Sequence, residues 1–170
     1  DPLRRQRQMC IRDSCGAYIE PERNYPDSNL EPEDAPLRVA SESTELIQDN
    51  VAYLKGDVNI TQGYRQARSD TATVDQINRT VDLEGDIELR EPGILLRGDA
   101  AYMNMDSLDV EINNATYLLH ESGARGTAQN LQRPGGDIFY IDDGGYTTCE
   151  PGNNAWRLVT SKLEVNPGTG

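Results

Sequence analysis

From about residue 37 onward, apolar side chains recur two residues apart in short runs separated by Gly, Asn, Asp and Pro, the rhythm of half-buried β-strands. Leu54, Val58 and Ile60 make one such run, and Leu83, Ile87 and Leu89 another. No stretch keeps a helical period for a useful length. Residues 41–48 come nearest, and their place in a repeat assigns them to a strand. The repeat is explicit. Gly56-Asp57-Val58-x-Ile60 returns 29 residues on (56 to 85) as Gly85-Asp86-Ile87-x-Leu89. Arg68-x-Asp70-x-Ala72-x-Val74 returns at the same interval as Arg97-x-Asp99-x-Ala101-x-Met103, and Val81-x-Leu83 as Val110-x-Ile112. Such self-similarity predicts stacked supersecondary units. In each, one short strand ends before Gly-Asp, a second follows it, and a longer one surrounds Asp-x-Ala-x-(Val/Met).

The predicted architecture is all-β, a flattened stacked-strand sandwich with a thin apolar interior and an acidic outside. By alternation the inward set is Leu54, Val58, Ile60, Val74, Leu83, Ile87, Leu89, Met103, Ile112 and Leu118. Residues 94–102 carry apolar side chains on both faces, so their assignment rests on the repeat alignment alone. Two readings of this interior stand side by side. It is a packed core, or an elongated cleft in which each methylene of an acyl chain would gain about 0.8 kcal/mol.

Composition narrows the choice. Lys and Arg total 16 against 29 Asp and Glu, a formal net charge of −13, which argues against nucleic acid and against a basic membrane-surface helix. No apolar run approaches the ~20 residues of a membrane-spanning helix. Hydrophobic residues are 36% and aromatic residues 6%, hence the thin core. Among three cysteines (Cys10, Cys15 and Cys149) and one histidine (His120) no structural metal-site spacing occurs, so no metal or cofactor is expected. His120 reads as a strand-end polar residue.

Asp106-x-x-Asp109-x-Glu111 fits no EF-hand and reads as a solvated turn, and Asp142-Asp143-Gly144-Gly145 reads as a hairpin turn. Three Asn-x-Thr triplets, at Asn59, Asn78 and Asn114, are treated as chance matches. No catalytic constellation stands out, and a non-enzymatic role is expected. Residues 1–14, with Arg4, Arg5, Arg7, Arg12 and Cys10, read as a leader foreign to the fold. Residues 15–36 read as an irregular acidic lead-in, 37–165 as the β domain and 166–170 as a truncated connection.

The segment Tyr146-Thr147-Thr148-Cys149-Glu150-Pro151-Gly152, followed by Trp156, is the most specific feature. Together with the Gly-Asp-(Val/Ile) units and Cys15, it resembles the periplasmic N-terminal (OstA-like) domain of the outer-membrane lipopolysaccharide-assembly protein LptD. The resemblance runs from about Cys15 to Val165. It implies a β-jellyroll on the periplasmic face of the outer membrane. That jellyroll would accept lipopolysaccharide from the bridge protein LptA and pass its acyl chains along an apolar groove to a C-terminal β-barrel holding the plug lipoprotein LptE. It also implies that Cys15 and Cys149 form long-range disulfides with cysteines of the barrel; a Cys15–Cys149 bridge is a chemical alternative. Delivery would use edge pairing at the strand 37–46, through Val39, Ser41, Thr44 and Leu46, with Glu42 and Glu45 as charges that blunt the edge otherwise. The competing readings are a structural or polysaccharide-binding β-solenoid with a dry core, and a carboxylate hydrolase on a β-helix.

Overall fold

The computed structural model describes residues 19–48, 50–150, 153 and 155–166. Cys15, the leader at 1–14, Pro151-Gly152 and residues 167–170 lie outside the described residues. Among the described residues ten strands form one antiparallel sheet: β1 (Arg38–Ala40), β2 (Ser43–Gln48), β3 (Val51–Gln62), β4 (Arg65–Asp75), β5 (Thr80–Glu91), β6 (Ile94–Asn104), β7 (Val110–Leu119), β8 (Ala124–Arg133), β9 (Phe139–Thr147) and β10 (Leu158–Val165). From β3 to β10 each strand pairs with the next, as short hairpin connections dictate. β1 and β2 both pair with β3, covering its C-terminal and N-terminal halves as two pieces of one bent edge.

Each long strand bends at its middle, which turns a single sheet into two facing arms. In β3 and β5 the bend is the Gly-Asp pair. Gly56 and Asp57 have φ of 79° and 43°, and Gly85 and Asp86 of 77° and 42°. The ladder slips at both places, the signature of a β-bulge. Glycine is required there on two counts. Its φ is left-handed, and a Cβ on Gly85 would stand 2.3 Å from Asp70 Oδ2. The Asp of one unit thus sits over the Gly of the next, a physical reason for the recurrence of both residues. Gly-Asp therefore bends one continuous strand, where the sequence predicted a break between two.

Strands β4, β6 and β7 make the same bend with a three-residue step between inward positions: Ser69 to Ala72, Leu96 to Ala101 by way of Gly98, and Ile112 to Ala115. Alternation therefore changes parity at the corner. This corrects the assignment of Leu118. Past Asn114 (φ 50°) the buried residues of β7 are Ala115, Tyr117 and Leu119, and Leu118 is half-buried beside Arg125. Asp142-Asp143-Gly144-Gly145 is likewise no hairpin turn. It lies inside β9, with Asp143 in the left-handed region (φ 44°) at that strand's own corner.

Side chains close the hairpin connections. Asp75 accepts hydrogen bonds from the backbone N–H groups of Ile77 and Asn78, and Asn104 Oδ1 from those of Asp106 and Ser107. Pro92-Gly93 makes the β5–β6 turn with Gly93 at φ 76°. His120 follows β7, buried, and its backbone N–H donates to Gly93 O at 2.8 Å. The core between the arms includes the fully enclosed Val58, Leu83, Ile87, Ile112, Leu131 and Ile141.

Candidate functional site

The two arms do not fill the space between them evenly. Beside β3 to β6 they leave an apolar cavity of about 120 Å³, measured as room for the centre of a water molecule. One water needs only ~10–15 Å³ on that measure, so the gap exceeds a packing defect. Ile60, Ala67, Leu89 and Leu96 face it from one arm, and Val81 and Met103 from the other. Beside β7 to β10 the arms close. Among Leu96, Tyr117, Leu131, Phe139 and Ile141 the corresponding space is about 10 Å³. The sequence left a packed core and an elongated cleft both open; the described residues show a cavity in the half next to β1 and β2, and a packed core beyond it.

The packing beyond has a clear cause. Tyr117 donates its hydroxyl to Gly145 O at 2.9 Å, in space left free because residue 126 is glycine, where a Cβ would lie 2.5 Å from that hydroxyl. Burial pushes the Tyr117 phenol well above its ordinary pKa, so it remains a donor.

The mouth of the cavity is charged. Arg133, at the end of β8, donates to both carboxylate oxygens of Glu91, at the end of β5, over 2.7 and 3.0 Å. These strands are not neighbours in the sheet, so the pair reaches from one arm to the other and ties their free ends. Arg65 Nε lies 3.5 Å from the same carboxylate. Burial raises the Glu91 carboxyl, but the Arg133 hydrogen bonds and the charges of Arg133 and Arg65 outweigh it and hold it below the usual range. Arg90 completes the rim and donates to Pro21 O at 2.7 Å, which anchors the lead-in beside the cavity.

Of the residues read as inward, Ile60, Leu89 and Met103 line the cavity, while Leu54, Val74, Leu83 and Ile112 are buried away from it. Val58 and Ile87, also buried, border a second, polar groove along the corner row, with Asp57, Asp70 and Asp86, of about 660 Å³ on the same measure. Val39 and Leu46 are exposed on β1 and β2, and Ser41 Oγ lies 3.1 Å from Thr44 Oγ1 where those strands meet. No described strand pairs with the outer side of that edge. The arginines and Glu91 were missed, because a charge at a strand end carries no periodic signal. The cue available was the odd placement of Arg90-Glu91 directly before Pro92-Gly93.

Cys149, half-buried after β9, forms no disulfide among the described residues. Its backbone N–H donates to Thr147 Oγ1, and its Sγ lies 3.6 Å from Trp156 O. Hydrogen bonding with Thr147 is the largest of the effects that lower its pKa. Arg125 holds the carbonyls of Cys149 and Glu150, both at 2.9 Å. No cluster of three or more His, Cys, Asp or Glu side chains suited to a metal ion occurs among the described residues.

A family model described as LptA/(LptD N-terminal domain) LPS transport protein matches residues 38–170. The chain belongs to the LptD N-terminal domain family. It is 40% identical over 156 residues to the LPS-assembly protein LptD of Pseudomonas syringae pv. syringae (strain B728a), covering 91% of this chain and 17% of that protein. It is 38% identical over the same length to the LPS-assembly protein LptD of Pseudomonas fluorescens (strain Pf-5), with 91% of this chain and 16% of that protein covered. The chain thus spans about a sixth of the curated LptD proteins it matches. Among solved structures it resembles LptH, the LptA-homologous periplasmic component of the lipopolysaccharide transport device of Pseudomonas aeruginosa. The TM-score is 0.59 at 18% identity, with 82% of this chain and 98% of that one covered. The architecture of this LptD-type domain is accordingly the LptA-like β-jellyroll, the fold class predicted from the sequence.

Proposed function

We propose that this domain takes up lipopolysaccharide by its acyl chains in the cavity between the arms, on the route to an outer-membrane barrel, and catalyses no reaction. The observation that carries the reading is the apolar cavity placed next to the unpaired β1–β2 edge. A partner jellyroll adding its last strand to that edge would bring its own interior into line with this one, the ordinary geometry of strand addition. A periplasmic bridge protein of the LptA kind is the partner this edge suits, and an outer-membrane barrel with an LptE plug would receive the lipid on the β10 side. The long-range disulfides from Cys15 and Cys149 belong to the same proposal. The half-buried Cys149 is compatible with a partner outside the described residues.

The closed half favours a second reading for β7 to β10, a dry scaffold whose arms must part before a chain can pass. Filling the cavity separates the two. Ala67→Phe places a ring in open space at a residue 6% exposed. Capture of lipopolysaccharide should fall several-fold in this variant at an unchanged unfolding midpoint. Undiminished capture would leave the jellyroll a scaffold and refute uptake through the cavity.

A further inference from the structure

Resting on that reading, we infer that Arg65 and Arg133 seat a phosphate carried by the lipid whose acyl chain occupies the cavity. Two guanidinium groups share one carboxylate at the mouth. Arg133 occupies both oxygens of Glu91, and Arg65 stands 3.5 Å from Oε1. Arg65 Nε is buried, and among the described residues it donates no hydrogen bond. A buried, charged donor held only by a 3.5 Å ion pair, with no hydrogen bond, is costly in a folded protein and is explained by a ligand that supplies a closer acceptor. The Arg65 guanidinium carbon lies 5.8 Å from the Tyr64 ring centroid, a contact that orients the group.

The charge balance of the lining points the same way. Arg65, Arg90 and Arg133 face Glu91 and Asp109, an excess of one positive charge in a chain of net charge −13. An acidic protein that concentrates arginine around an apolar cavity is built for an anion attached to something apolar. Guanidinium matches phosphate through paired N–H donors. A phosphate dianion would serve both arginines, where a single carboxylate satisfies one. Free phosphate would meet the same donors, but the adjoining apolar wall adds affinity only for a phosphate that carries a chain. The acidic outside of the chain would repel a phosphate, and this mouth is the exception.

The test compares three probes on the whole 170-residue chain. They are bis-phosphorylated lipid A in neutral detergent micelles, the same acylated disaccharide without phosphates, and inorganic phosphate. Wild type should bind the phosphorylated lipid about tenfold or more tightly than the phosphate-free one, the scale of one hydrogen bond to a charged group. Arg65→Gln should erase that ratio, and Arg65→Lys should keep part of it, because a point charge replaces the fork. The unfolding midpoint serves as the folding control for both variants. A ratio near one in wild type, or a ratio that survives Arg65→Gln, overturns the phosphate seat while uptake by acyl chains stands. Inorganic phosphate binding as tightly as the lipid would make this a free-ion site and overturn the lipid assignment. Failure of both lipids to bind wild type would refute uptake itself.

Discussion

Breaking the Glu91–Arg133 tie should loosen the two arms measurably. The Arg133 side chain is 11% exposed and that of Glu91 23%, so water replaces a lost partner only in part. Removing one member of such a pair commonly costs about 3–5 kcal/mol. Arg65 remains 3.5 Å from Glu91 as partial compensation, so Arg133→Met should cost about 2–4 kcal/mol. With a urea slope of ~1–3 kcal/mol per molar, the midpoint should drop by about 1 M or more.

The double variant Glu91→Met/Arg133→Met should recover much of that loss, since a well-packed apolar pair often replaces a buried ion pair at little cost. Urea unfolding of the four proteins gives the coupling directly, expected at ~1.5–3 kcal/mol. The pH dependence has a definite sign. The folded carboxyl of Glu91 lies below its unfolded value, so its contribution is complete above ~4.3, the usual glutamate pKa, and is lost as pH falls through the folded value. Glu91→Gln should flatten that part of the profile. A coupling under ~0.5 kcal/mol at pH 7 would show that the arms are held by apolar packing alone.

Other consequences are as open to measurement. Ile112 is 0% exposed, and Ile112→Ala should cost about 2–5 kcal/mol by thermal or urea unfolding, whereas a cost below ~1 kcal/mol would place it outside the core. Gly85 and Gly93 share a left-handed φ, but only at Gly85 would a Cβ meet another residue, so Gly85→Ala should destabilise more than Gly93→Ala; equal losses would leave backbone strain as the whole cause. Alkylation of Cys149 should show a midpoint below that of a free thiol, and Thr147→Ala should move it upward, with an unmoved midpoint counting against the hydrogen bond as its cause. A proline at Val39 or Leu46 should block cross-linking to an LptA-type bridge protein while the unfolding midpoint holds, and normal cross-linking would remove the edge assignment.

The stacked strands were legible because the alternation and the 29-residue echo report the same unit twice. Corner chemistry was legible only in part. The Gly-Asp pairs announced something special at residues 56 and 85, but a bulge inside a strand and a gap between strands leave the same glycine and aspartate in the sequence. The error at Leu118 arose at a corner with no Gly-Asp pair to announce it. Alternation was carried straight through residues 113–114, where the three-residue step swaps the inward face to Tyr117 and Leu119. Beyond β7 the echo fades, and Leu131, Phe139 and Ile141 went unassigned although they close that half of the core. Of the cavity's rim, only the placement of Arg90-Glu91 before Pro92-Gly93 left a trace in the sequence. Glu91 and Arg133 are 42 residues apart and meet only because the sheet folds over on itself.

Site-specific photo-cross-linking to lipopolysaccharide tests the interior route most directly. Cross-linkers at Leu89 and Met103, inside the cavity, should capture the lipid, and those at Tyr102 and Arg79, facing outward or at a hairpin end, should not. Equal labelling at the two pairs, or labelling confined to the outward pair, would contradict a path between the arms.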